Sequence, residues 1–165
     1  MSNNESLVFP ELLLLDEFGG DFQSYIDAVY RVFKNNFIST QPTYEGLKVS
    51  VKRYPEVDGM HRTFYHITHE GEDEENRQPD VRRMERIRFP KFVIDNCLHK
   101  EILIWKNKRG RDERIVLFND MEDYIVILTD RGDYYMFITA YYIEQTHRKK
   151  KLLAEYEAYI KAKTA

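Results

Sequence analysis

Residues 123–160 constrain the fold more than any other stretch. They read DYIVILTD, then RGDYYMFITAYYI, then EQTHRKKKLLAEYEAYI. Tyr124, Val126 and Leu128 alternate with Ile125, Ile127 and Thr129, the period of two that a strand requires. Asp130-Arg131-Gly132-Asp133 supplies a tight turn in which Gly132 is free to take a positive φ. Residues 134–143 are aromatic and β-branched almost throughout, which suits a strand inside a sheet with both faces covered. A basic-headed helix closes the chain, expected to bury Leu152, Leu153, Tyr156 and Ile160 and to expose residues 148–151.

Such a hairpin needs more strands beside it and apolar cover. Residues 101–106 (EILIWK) and 113–119 (ERIVLFN) read as two further strands around a basic turn at 107–112. Phe22, Ile26, Val29, Phe33 and Phe37 fall at helical spacing after a capping Asp21, and Gln41-Pro42 stops that helix. Residues 46–54 alternate as a half-buried strand, for which 61–69 is the expected hairpin partner. Residues 7–15 read as a short strand or a packed arm, and the acidic 71–78 as an exposed loop.

Pro79 suits the first turn of a helix carrying DVRRMERIR. Val81, Met84 and Ile87 form its inner side, Arg82 and Arg86 stand one turn apart on the other, and Arg83 flanks them. Phe89-Pro90 ends it, and 91–98 is a second short helix with Phe92, Val93 and Cys97 inward. Hairpin-length connections favour antiparallel pairing. The expected class is α+β: a meandering antiparallel β-sheet with N-terminal helices and a long C-terminal helix packed on it. At 165 residues, without repeat or linker, a single domain 1–165 is expected, in which 1–60 is a helix-and-strand elaboration of a core at 61–160.

A single cysteine, Cys97, excludes an internal disulfide framework and a cysteine-rich zinc site. No apolar run approaches the roughly 18 residues needed to span a membrane. The opening MSNNES lacks the features of a secretory leader, so a cytoplasmic location and no membrane partner are expected. Net charge is −3, but it is unevenly spread: 6 Lys/Arg against 14 Asp/Glu over 1–76, then 12 against 6 over 77–114. A phosphate backbone would be drawn to the basic middle, although a solvated helix face and hairpin tip are its more ordinary explanation.

Phosphate-loop, dinucleotide, HExxH and GxSxG motifs are absent. His66 and His69 in HITH would face opposite ways on a strand and could not chelate one metal. No cofactor is expected. The remaining polar groups, His66, Arg83, Arg86, Thr139, Tyr141 and His147, suit metal-independent cleavage of RNA. That reaction needs a base for the 2′-OH, an acid for the leaving 5′-oxygen and cations around phosphorus. Histidine fills either proton-transfer role, and arginine offers a planar fork to phosphate. Each group also has an ordinary structural explanation, from a hydrogen-bonded histidine to a solvated arginine. Tyr141 and Tyr142 point to opposite faces, so one of them joins a given cleft. Cations at the start of the last helix oppose its dipole by roughly 0.3–1 kcal/mol each, which an anionic ligand would relieve.

FYHITHEG, DVRRMERIRFPKFVI and DYIVILTDRGDYYMFITAYYIEQTHRKKKLLAEY resemble the phage and mobile-element branch of a nuclease superfamily that includes barnase, EndoU, the RelE toxins and tRNA-cleaving colicins. The resemblance covers residues 61–156 and is most specific in ITAYYIEQTHRKKKLLAEY. It implies a metal-independent ribonuclease, a toxin or defence effector, with RNA such as tRNA as substrate and an inhibitor or antitoxin as partner. It places His66, an arginine of DVRRMER, Thr139, Tyr141 and His147 in the active site. The helix and hairpin before the core depart from the superfamily pattern. Two other readings stand beside it. One is a non-catalytic RNA- or protein-binding module. The other, suggested by the acidic first half, is an antitoxin or immunity protein.

Overall fold

The computed structural model describes residues 5–164. Residues 1–4, on which the reading of a missing leader partly rests, and Ala165 lie outside the described residues. In chain order the elements are α1 (Phe22–Lys34), β1 (Thr43–Tyr44), β2 (Leu47–Ser50), α2 (Arg62–Thr68), β3 (His69–Glu70) and β4 (Gln78–Pro79). Then come α3 (Val81–Glu85), α4 (Phe89–Asp95), β5 (Ile102–Arg109), β6 (Asp112–Asn119), β7 (Tyr124–Asp130), β8 (Tyr135–Tyr142) and α5 (Thr146–Thr164).

The class is α+β, as expected. Strands β5 to β8 form the antiparallel meander, and β2 joins β8 in parallel, giving the order β1-β2-β8-β7-β6-β5. Strand β8 is therefore interior. Alternation along β6 and β7 divides the apolar residues between two faces. Ile115, Leu117, Tyr124, Val126 and Leu128 join a large core with Phe33, Phe64, Met84 and Val93 from α1 to α4. Val116, Phe118, Ile125 and Ile127 join Trp105 and Ile143 in a smaller core covered by Leu152, Leu153 and Tyr156 of α5. Ile160 stays 37% exposed near the end of that helix. Four helices thus lie on one face of the sheet and α5 on the other.

A bulge at Ile138 interrupts the β7–β8 ladder, which pairs Leu128 with Phe137 and Ile127 with Thr139. Phe137 and Ala140 both belong to the large core in consequence. Thr139 and Tyr141 stand opposite Ile127 and Ile125, on the face that carries α5.

Several expectations are corrected. Residues 62–68 are helical, not a strand paired with 46–54. Phe64 and Ile67 lie three apart, both buried in the large core, and Phe64 packs 4.8 Å from the Tyr30 ring and 5.5 Å from that of Phe33. This packing outweighs the β-preference of FYHIT. Strand β2 stops at Ser50 and pairs instead with β1 and β8. Pro79 lies in β4, and α3 starts one residue beyond Asp80, whose carboxylate accepts from the Arg83 N–H. Phe89-Pro90 opens α4 rather than closing α3, since proline needs no N–H partner in a first helical turn. Val81 is 37% exposed, while Met84 and Ile87 are buried as read. Residues 7–15 run as an irregular arm: Leu13 is buried and Phe9 packs on Phe89 and Phe92.

Candidate functional site

A cleft of about 670 Å³ opens between the α5 face of the sheet and the end of α2. Ile125, Ile127, Thr139 and Tyr141 of β7 and β8 line it, and Arg148, Lys151 and Glu155 line it from α5. The β5–β6 hairpin adds Arg109 and Arg114, and the α2–α3 region adds His66, Arg77 and Arg83. The bulge at Ile138 is what turns the Thr139 and Tyr141 side chains this way. The two-residue turn at Gly110-Arg111, with Gly110 at φ +63°, sets the register that places Arg114 opposite Asn107.

Six cationic side chains and one carboxylate, Glu155, line the cleft. Arg77 and Arg83 are partly committed. Each donates through Nη1 to the backbone carbonyls of His66 and His69, at 3.1–3.4 Å, where α2 ends. Cations there complement the helix dipole and satisfy carbonyls that lack helical partners. Arg77 also lies 2.9 Å from Glu74, and Arg83 3.3 Å from Asp80. Arg148 donates to the Tyr141 hydroxyl, and the guanidinium groups of Arg83 and Arg148 each lie 5.5 Å from the Tyr141 ring centre.

The other three cations are uncommitted: among the described residues no carboxylate pairs with Arg109, Arg114 or Lys151. The buried Nε of Arg114 has no hydrogen-bond partner, nor does the Asn107 carbonyl oxygen beside it. Burial, and then the charge of Arg109, push the Arg114 pKa down from its ordinary value. An anion in the cleft would relieve both strains on the guanidinium. Glu155, whose Oε1 accepts from Trp105 Nε1 and Asn107 Nδ2, opposes that lowering without reversing it.

His66 is the one histidine lining the cleft among the described residues. Its side chain is 29% exposed, and its Nδ1 lies 3.3 Å from both carboxylate oxygens of Glu74. Burial, reinforced by Arg77, holds its pKa below the ordinary imidazole value despite Glu74. The shift favours the neutral ring, the form able to accept a proton.

Of the residues singled out in the sequence, His66, Arg83, Thr139 and Tyr141 come together here. Arg86 and His147 do not. Arg86 lies beyond the end of α3, with its guanidinium 4.4 Å from the Tyr142 ring centre on the opposite face of the sheet. His147 is exposed in the first turn of α5 and lines no cleft described here. Arg82 pairs with Glu144. The repulsion expected at the start of α5 is partly answered within the protein, since Lys149 pairs with Asp120 and Asp123 at 2.8 and 2.6 Å. His69 is buried against the Tyr65 ring, 4.6 Å away.

Arg77, Arg109, Arg114 and Glu155 are not singled out from the sequence, and Arg148 and Lys151 enter only as part of the basic start of the last helix. The positive balance over 77–114 was the one signal pointing to three of them. Among the described residues, no group of three or more His, Cys, Asp or Glu side chains is placed to hold a metal ion. No described helix is long and apolar enough to cross a membrane. No protein-family model, curated protein or solved structure matches the chain.

Proposed function

We propose that this protein is a metal-independent RNA endonuclease and that the basic cleft is its active site. The observation that carries the reading is the convergence of a neutral imidazole, a phenol and three uncommitted cations in one cleft. His66 takes the proton of the 2′-OH, which attacks phosphorus. Arg109, Arg114 and Lys151 balance the charge that gathers on the phosphoryl oxygens. Tyr141 gives its proton to the departing 5′-oxygen. Because Arg148 donates to the Tyr141 oxygen, the phenolic hydrogen is free to point elsewhere. The guanidinium groups of Arg83 and Arg148 flank the Tyr141 ring. Thr139 positions the phosphate, and Arg83 holds the end of α2 that carries His66. The products are a 2′,3′-cyclic phosphate and a 5′-hydroxyl.

This assignment uses one histidine and one tyrosine in place of the pairing of His66 with His147. The likeness of the sequence to the barnase–EndoU–colicin–RelE nucleases supports the reaction class. A toxin or defence role in a phage or mobile element, a tRNA substrate and an inhibitory protein partner rest on that likeness alone.

The test incubates wild type, His66→Ala, Tyr141→Phe and His147→Ala with total RNA and EDTA and reads the new ends. Cleavage with cyclic-phosphate ends in wild type and His147→Ala, lost in the other two, is the expected result. Cleavage equal in all four sinks the assignment. The presence of a single imidazole in the cleft favours one other reading, a non-catalytic RNA-binding module, and binding by all four proteins without cleavage would establish it.

A further inference from the structure

A second cleft of about 660 Å³ adjoins the first, and His66 is the residue common to both. Strand β8 floors them in succession. Met136 and Ile138 line the second cleft, Thr139 and Tyr141 the first, and the bulge marks the boundary. The volume lies within the roughly 300–1,000 Å³ typical of small-molecule sites.

The two clefts differ in charge. Lys52, Arg62, Arg131, Glu74 and Glu75 are the charged groups around the second. Most of them are engaged: Arg62 donates to the Pro55 carbonyl, Arg131 to Asp112, and Glu74 lies against His66 and Arg77. Lys52 and Glu75 remain without an ion-pair partner among the described residues. One free cation, one free carboxylate and a half-buried floor of Met136 and Ile138 make a poor site for a polyanion. They suit a flat, largely uncharged ring system with hydrogen-bonding edges, against which a thioether packs well.

We infer that the second cleft seats a nucleoside of the same RNA strand, so that a single strand runs along β8 with its phosphates in the basic cleft and one splayed base beyond His66. This rests on the ribonuclease reading and narrows it to unpaired RNA, because a base held in a duplex stack cannot enter such a cleft. The scissile phosphate then lies at the junction, beside the one imidazole that both clefts share.

The experiment measures binding of a short 2′-O-methyl RNA, which lacks the attacking hydroxyl, and of inorganic polyphosphate, to wild type and to Met136→Trp, where the indole fills the second cleft. RNA affinity is expected to fall by about tenfold or more, in line with the loss of one base contact, while polyphosphate binding is unchanged. In parallel, wild type is photo-crosslinked to the same RNA carrying a single 4-thiouridine, moved position by position. Attachment to Thr63, Met136 or Ile138 at one position is expected. RNA that binds both proteins equally and crosslinks only within the basic cleft overturns the second site and leaves the ribonuclease reading intact. Polyphosphate binding without any RNA binding overturns both. If Met136→Trp does not fold, the wild-type crosslinks decide.

Discussion

Arg77 holds the backbone carbonyl of His66 at 3.1 Å from its Nη1 and reaches the carbonyl of His69, at 3.2 Å, with the same nitrogen. Together with Arg83, which donates to the same two carbonyls, this guanidinium fixes the end of α2 and, through its charge, lowers the basicity of the imidazole carried there. Arg77→Ala leaves half-buried carbonyls without this donor. It should destabilise the fold by about 1–3 kcal/mol, read as a lower urea midpoint with an unchanged m-value, and Arg77→Lys should recover part of the loss.

The acid limb of cleavage should reflect the same imidazole. A base with a lowered pKa stays neutral, and so active, to lower pH than an ordinary histidine. The limb of kcat/KM should therefore fall below 6.5, the ordinary value. Glu74 opposes the lowering, so Glu74→Gln should move the limb further down. A limb that moves up in that variant would mean that another group is the base.

Binding should depend steeply on salt. Each of Arg109, Arg114 and Lys151 that contacts a phosphate contributes about 0.7 to the slope of log K against log salt for a single strand. Changing any one to Ala should flatten the slope by about that amount, measured by fluorescence anisotropy. Substituting Lys161, exposed on the far turns of α5, should leave the slope as it was.

Mild acid should destabilise the fold. Burial lowers the pKa values of His61, His66 and His69 in the folded protein. Above 6.5 these groups are neutral in both states and contribute no pH dependence. As pH falls through that value the unfolded chain binds protons first, so stability drops until the folded pKa values are passed. Urea midpoints should therefore fall as pH drops through 6.5. The carboxylates with lowered pKa values, Asp21 and Asp73, act only near and below 3.8, outside that window.

Phe64 is fully buried and contacts Tyr30 and Phe33, so it ties α2 to α1. Phe64→Ala should cost about 3–5 kcal/mol in chemical denaturation. It should also lower cleavage beyond the unfolded fraction, because α2 carries His66.

Strand β7, the turn at 130–133 and the apolar stripe of α5 were legible because alternation, turn chemistry and helical spacing agree with where those residues pack, but nothing in the run 134–143 marks the bulge at Ile138. The stripe on α1 was legible for the same reason, with only Phe22 left 37% exposed. His66 was found as a residue type, but on the wrong element: FYHIT has strand-like composition, and its helix is decided by packing against Tyr30 and Phe33, far away in sequence. The basic cleft was only half legible. Arg77, Arg114 and Lys151 come from three separate segments, and only the sheet register and the path of α5 bring them to one place. Reading residues 107–112 as a long turn hid Asn107 and Arg109 within strand β5. A two-residue turn at Gly110 would have exposed their pairing with β6.

The single extra residue at Ile138 works as a phase shift. With unbroken alternation, Tyr135, Phe137, Thr139 and Tyr141 would all project to the same side. The hydroxyl groups of Thr139 and Tyr141 would then be sealed among Phe33 and Phe64, and Ala140 would face outward. Deleting Ile138 would instead leave a regular ladder in which Thr139, Ala140 and Tyr141 keep the faces they have, and no compensating residue inserted in β7 would be needed. A related chain is best aligned to this one by counting across that position, since the two halves of the strand keep different parity.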